Sequence, residues 1–145
     1  MHYNFVDDLL AAQEKELELA RLLKKRGKAE RIEINNDKRY DLLVYLKDGG
    51  TQTIELKHDM LHEKTGNIGV EYSSWGKPSG IDVTEADYWC FALYDGFWVI
   101  PTHTLRDLIA ENTFFRVAVG GDKGSDTAMY LFKGDMLKRW MRKLK

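Results

Sequence analysis

Two hydrophobic periods divide the chain. Val6, Leu9, Leu10, Leu17, Ala20 and Leu23, with Gln13 in phase, recur at three- and four-residue spacing, which predicts one amphipathic helix over residues 6 to about 25. Asn4 or Asp7 is placed to cap it and Gly27 to stop it. The pattern then shortens to strands. A short run at 31–34 precedes "LLVYL" and "TIELK", which flank an Asp-Gly-Gly turn signal. Further runs fall at 67–72 ("NIGVEY"), then at 88–94 and 97–100 around the turn dipeptide Asp95-Gly96, and at 115–119 and 129–132. "SSWGKPSGI" reads as a loop. A short helix is expected from 104 to about 111, with Thr102 or Thr104 as its cap. A basic helix over 135–145 should close the chain, with Met136, Leu137, Trp140, Met141 and Leu144 toward the core. A helix, a mainly antiparallel sheet and further helices make an α/β or α+β fold, a central mixed sheet flanked by helices. The 145 residues suit one domain with a real core.

The "YDLLVYLKDGGTQTIELKHD" segment carries the question of function. Strand alternation puts Thr53, Glu55 and Lys57 on one face and Ile54 and Leu56 on the other. A two-residue loop would set Asp41 against Leu56. A three-residue loop of Asp48, Gly49 and Gly50, with Gly50 at positive φ, would pair Lys47 with Thr51. Asp41 would then oppose Lys57, one diagonal from Glu55. Glu-x-Lys on a strand is ordinarily a solvated face with an ion pair. Against that, Asp41 opens an apolar run typical of a strand buried on both faces, and Glu16 borders the apolar stripe of a helix that must pack nearby.

Charge and composition narrow the classes. The chain is 43% hydrophobic and 31% charged with a net charge of −1, as expected of a soluble globular protein rather than a disordered one. From Pro101 onward nine Lys and Arg stand against five Asp and Glu, leaving thirteen against eighteen before it. Basic clusters lie at "RLLKKRGKAER" and "KGDMLKRWMRKLK"; such runs are usually solvated helix faces, but they can also track phosphates. The single Cys90, within "YWCFALY", excludes an internal disulfide framework and reads as a buried thiol. The N-terminus shows no secretory pattern and no apolar run is long enough to cross a bilayer, so a cytoplasmic protein with no membrane partner is expected. His58 and His62 are four apart, but Asp59 stands where a zinc protease needs glutamate.

Two carboxylates a metal's width apart, with a backbone carbonyl between Glu55 and Lys57, offer oxygen ligands suited to Mg²⁺. Lys57 beside them could orient a water or hold a phosphate oxygen. With these residues the chain resembles the PD-(D/E)XK nuclease superfamily, in a Holliday-junction-resolvase-like branch of phage and mobile-element nucleases. The matching elements are Glu16 in "EKELELARLLKKRG", Asp41 in "RYDLLV", and Glu55 with Lys57 in "IELKHD", followed by "GNIGVEYSSWGKPSGIDVTEADYW". The likeness runs roughly from Glu14 to Trp98. Tyr40 stands where the superfamily's name has proline.

The resemblance implies a restriction-endonuclease-like core and Mg²⁺- or Mn²⁺-dependent hydrolysis of DNA phosphodiesters, with branched or nicked DNA as the substrate class it suggests. It implies metal ligation by Asp41, Glu55 and the Leu56 carbonyl, with Glu16 as a direct or water-mediated ligand and Lys57 as the catalytic lysine. Glu14 and Glu18 remain alternatives for the helix acid. A homodimer is implied by likeness to junction-cleaving relatives, and a host cytoplasm if the chain is phage-encoded. Lys77 and Ser79 in a glycine-rich loop, and Lys123 in "GGDKGS", are candidate DNA contacts. Glu71 is either an edge of the site or an outward strand acid. Tyr88, Trp89, Phe97 and Trp98 are core at strand spacing or platforms for bases. The rival functions are a catalytically silent DNA-binding module keeping the nuclease fold, and a protein-interaction domain.

Overall fold

Leu19 fixes how the first helix sits. In the computed structural model, which describes residues 5–35, 40–59, 61–120 and 126–145 (side chains from Gln13), helix α1 spans Phe5–Lys25. Leu19 is fully buried, whereas Leu17, expected inward, is 44% exposed. The inward stripe is therefore Glu16, Leu19, Ala20 and Leu23, the i, i+3, i+4, i+7 set. Glu16 lies in that stripe rather than beside it, because the phase set by Leu19 and Leu23 rotates it toward the sheet. Gly27 ends the helix at φ +87°, its N–H donating to Lys24 O at 3.1 Å. Asn4 and Lys123 lie outside the described residues, as does the side chain of Asp7.

Six strands form the principal sheet: β1 (Ala29–Ile34), β2 (Leu42–Leu46), β3 (Thr51–His58), β6 (Tyr88–Leu93), β7 (Gly96–Pro101) and β10 (Arg142–Lys143), in that spatial order. Every pairing in it is antiparallel except β3 with β6, so the sheet is mixed as expected. A second, antiparallel sheet was not anticipated. It holds β4 (Asn67–Ser74), β5 (Lys77–Pro78), β8 (Arg116–Gly120) and β9 (Thr127–Lys133) in the order β5-β4-β9-β8. Short helices α2 (Leu61–Thr65), α3 (Thr102–Ala110) and α4 (Gly134–Lys138) complete the α+β fold.

The principal sheet separates two cores. On one face Leu19 packs with Ala29, Leu42, Val44, Ile54 and Cys90. On the other, Trp89, Phe91 and Ile100 pack with Ile68 and Val70 of β4, Phe132 of β9 and Leu105 of α3. Cys90 is fully buried and burial pushes its thiol pKa up, so it is inert packing, as its apolar surroundings in sequence imply. Among the described residues no helix is long and apolar enough to cross a membrane.

The expected C-terminal helix stops after Lys138. Residues 139–141 turn, and β10 adds to the edge of β7, with Leu144 N–H donating to Phe97 O at 2.9 Å. Leu137 is fully buried, but Trp140 is 55% exposed. Ladder hydrogen bonds to a free sheet edge outweigh the helical spacing of a short basic segment.

Candidate active site

The β2–β3 hairpin aligns the first two acids. Its loop is three residues long, as expected, but closes one position earlier: Tyr45 pairs with Thr51, and Gly49 rather than Gly50 takes positive φ, at +97°. Asp48 Oδ1 accepts the Gly50 N–H at 2.9 Å and fixes that turn. The register runs Leu42 to Ile54 and Leu43 to Thr53. Continued by one step, it sets Asp41 against Glu55 instead of Lys57.

At Asp41 the ladder breaks in an informative way. Ile54, already paired with Leu42, also accepts the Asp41 N–H at 2.9 Å. The Asp41 carbonyl accepts from Asn35 N–H at 2.7 Å, and its side chain turns back onto β3, where Oδ2 accepts the Leu56 N–H at 2.7 Å. The carboxylate thus replaces a backbone acceptor where β2 has left its neighbour. A strand residue's N–H and C=O point to the same edge, so the Leu56 carbonyl opens on the side where Asp41 stands.

Glu55 and Lys57 project to the face carrying Trp89 and Phe91, their parallel neighbours on β6. Lys57 Nζ lies 3.2 Å from Glu55 Oε1 and 5.3 Å from the centroid of the Trp89 ring. Glu55 keeps only 16% of its side chain exposed and Lys57 34%, so the ammonium is the reachable partner. The Asp41 and Glu55 carboxyls are within hydrogen-bonding reach of each other.

Burial raises the pKa of both acids. For Asp41 the Leu56 N–H and the Lys57 charge oppose that rise; for Glu55, Lys57 opposes it and Asp41 reinforces it. Glu16 is raised too, first by burial and then by the charge on Asp41. Glu16 belongs to the helix that packs on the Leu42 and Ile54 face of the sheet, and it feels the charge on Asp41. Glu14 and Glu18 are exposed, and Glu18 pairs with Lys15 at 3.3 Å.

Among the described residues no three His, Cys, Asp or Glu side chains close into a metal cage. What converges is a carboxylate pair with a third acid within electrostatic reach. That donor set fits Mg²⁺, which takes one or two carboxylates and keeps several waters.

Other candidates fall elsewhere. Lys77 is exposed on β5, and the Ser79 hydroxyl donates to Glu71 Oε2 at 2.9 Å, so Glu71 braces its own loop on the second sheet. Gly80 must be glycine: φ is +53° and a Cβ would meet the Glu71 carbonyl. His58 is exposed while His62 is buried and stacked on Tyr94, so the two do not form a zinc pair. Trp89 is fully buried and cannot stack on a base; Trp98 is held by Asp95 Oδ1 at 3.0 Å and by Lys138.

The sequence reading passed over Trp75. It is 67% exposed at the tip of the β4–β5 turn, at φ +55°, beside Gly76 and Lys77. A large aromatic inside a string of turn formers was the available signal. No protein family, curated protein or solved structure gives a match to the chain.

Proposed function

We propose that this chain is a metal-dependent phosphodiesterase. More particularly, it is a DNA endonuclease with a restriction-endonuclease-like core of the PD-(D/E)XK type, acting on branched or nicked DNA with Mg²⁺ or Mn²⁺. The observation that carries the reading is the contact of Asp41 with both the Leu56 N–H and the Glu55 carboxyl, with Lys57 3.2 Å from Glu55. Two part-buried acids that repel are costly to hold together unless something cationic occupies the gap.

Asp41, Glu55 and the Leu56 carbonyl would hold the ion, with Glu16 joining through water. When bound, the ion supplies an acidified water and charge neutralisation at phosphorus. Lys57, half-exposed and oriented by Glu55 and the Trp89 ring, holds a phosphate oxygen or positions the attacking water. Glu55, 3.2 Å away, holds that ammonium at the gap. Asp41 fixes the end of β2, so the geometry is set before substrate arrives. Lys77 and Ser79, with Trp75 beside them, contribute DNA contacts from the second sheet.

Cleavage of supercoiled plasmid and of a synthetic four-way junction, with Mg²⁺ or EDTA, tests the proposal. Cleavage is expected with Mg²⁺ alone, and Lys57→Ala should lose it while still binding DNA. Full activity in Lys57→Ala would refute the assignment. DNA binding without cleavage by the unmodified chain would instead favour the silent module.

A further inference from the structure

Helix α1 ends beside the principal sheet at Lys25. Beside its C-terminal end lies a cavity of about 740 Å³. Leu46, Tyr88 and Val99, all half-buried, line it from β2, β6 and β7, while Val44 and Ile54 at its base are buried. Ile54 belongs to the face opposite Glu55 and Lys57, so the cavity is separate from the carboxylate pair. Strands β2, β3, β6 and β7 are neighbours about 4.8 Å apart, so the space reaches roughly 14 Å across the sheet.

Its rim has one sign of charge. Arg26 and Lys28 stand at the end of α1, and Arg139 and Arg142 flank the start of β10. Asp48 is the one acid among the described lining residues, and its Oδ1 already accepts the Gly50 N–H at 2.9 Å. Arg26 donates to the Lys145 main-chain oxygen at 3.2 Å, and among the described residues Lys28, Arg139 and Arg142 form no ion pair with a side-chain carboxylate. A cavity within the volume range of small-molecule sites, with a partly apolar lining and, on its rim, Lys28, Arg139 and Arg142 unpaired with any described side-chain carboxylate, matches a ligand with an apolar body and an anionic head. Nucleic acid, polar along its length, would use the rim and leave the apolar lining bare.

We propose that this cavity binds a single-chain amphipathic anion, an aliphatic carboxylate or phosphate monoester. The chain lies across Leu46, Tyr88 and Val99, and the rim cations hold the head. The proposal does not depend on nuclease activity.

Isothermal titration with dodecyl phosphate below its micellar concentration tests it, with dodecanol and inorganic phosphate as controls. Trp140, exposed on the rim, supplies an optical readout. The expected result is one-to-one binding with a blue shift of tryptophan emission, at least tenfold weaker binding of dodecanol, and none of inorganic phosphate. The double variant Arg139→Glu/Arg142→Glu changes only exposed side chains and should lower affinity tenfold or more. Val99→Trp, checked for an unchanged melting temperature, should block the cavity. Absence of binding, equal affinity in both variants, inorganic phosphate binding as tightly as its dodecyl ester, or displacement by a short DNA duplex would each overturn the assignment.

Discussion

Removing the Asp41 side chain should destabilise the metal-free protein, whereas merely neutralising it should leave stability nearly unchanged. Asp41→Ala leaves the Leu56 N–H, now served at 2.7 Å, without an acceptor where β2 has departed. An unpaired, part-buried N–H costs about 1–3 kcal/mol. At roughly 3 °C per kcal/mol for a chain of this size, the melting temperature should fall by about 3–9 °C. Asp41→Asn keeps an oxygen in place. It exchanges a charge-assisted bond for a neutral one, a loss of about 1 kcal/mol, and relieves the repulsion felt by Glu16 and Glu55. The two effects offset, so Asp41→Asn should stay within about 1 kcal/mol of the parent. Urea denaturation in EDTA at pH 8 measures both.

The pH dependence supplies a second reading of the same contact. Glu16, Asp41 and Glu55 all have pKa values raised above the ordinary carboxylate range. The folded state therefore holds more protons than the unfolded one between the ordinary and the raised values. Metal-free stability must then fall as pH climbs through that window and level off above it. Asp41→Asn should flatten the slope. If Asp41→Ala and Asp41→Asn prove equally stable in EDTA, or stability rises through that window, the account of a strained acid pair braced by Leu56 is wrong.

Further outcomes follow from neighbouring contacts. Mg²⁺ should raise the parent's melting temperature by mass action on the folded state, and Glu55→Gln should abolish that rise; an undiminished shift would place the ion elsewhere. Glu16→Gln should weaken Mg²⁺ stabilisation without removing it, as a change in the apparent dissociation constant. Trp75→Ala should lower affinity for single-stranded or branched DNA by about 1–3 kcal/mol with the melting temperature unchanged, as read by fluorescence anisotropy.

The carboxylate pair was legible because side-chain parity survives small errors in register. The loop closes one position earlier than the Asp-Gly-Gly signal suggests, yet any three-residue loop keeps Asp41 and Glu55 in step, here opposed rather than diagonal. Glu16 was found by helical spacing, although Leu17 was chosen for the core over Leu19; only packing against Ile54 and Cys90 reveals the true phase. The second sheet was hidden because its strands come from two distant stretches, and strand runs do not announce their partners. The C-terminal segment failed for a similar reason. Met136, Leu137, Trp140, Met141 and Leu144 repeat at helical spacing, but the open edge of β7 captures Arg142 and Lys143. Trp75 was visible in the sequence and went unused, because its exposure depends on the turn that holds it out.

The lone parallel junction between β3 and β6 has a consequence for the order of assembly. Strands β1, β2 and β3 are joined by antiparallel neighbours in sequence, so this meander closes through short loops and can form early. It carries Asp41, Glu55 and Lys57 together. Pairing with β6 must wait for a detour through α2, β4 and β5, and β4 must wait longer still for β9. Chain closure across such intervals is the slower event. The acids would thus be drawn up on a nascent platform while the Trp89 surface that later braces Lys57 is still absent, and refolding followed by tryptophan burial should lag behind hairpin formation.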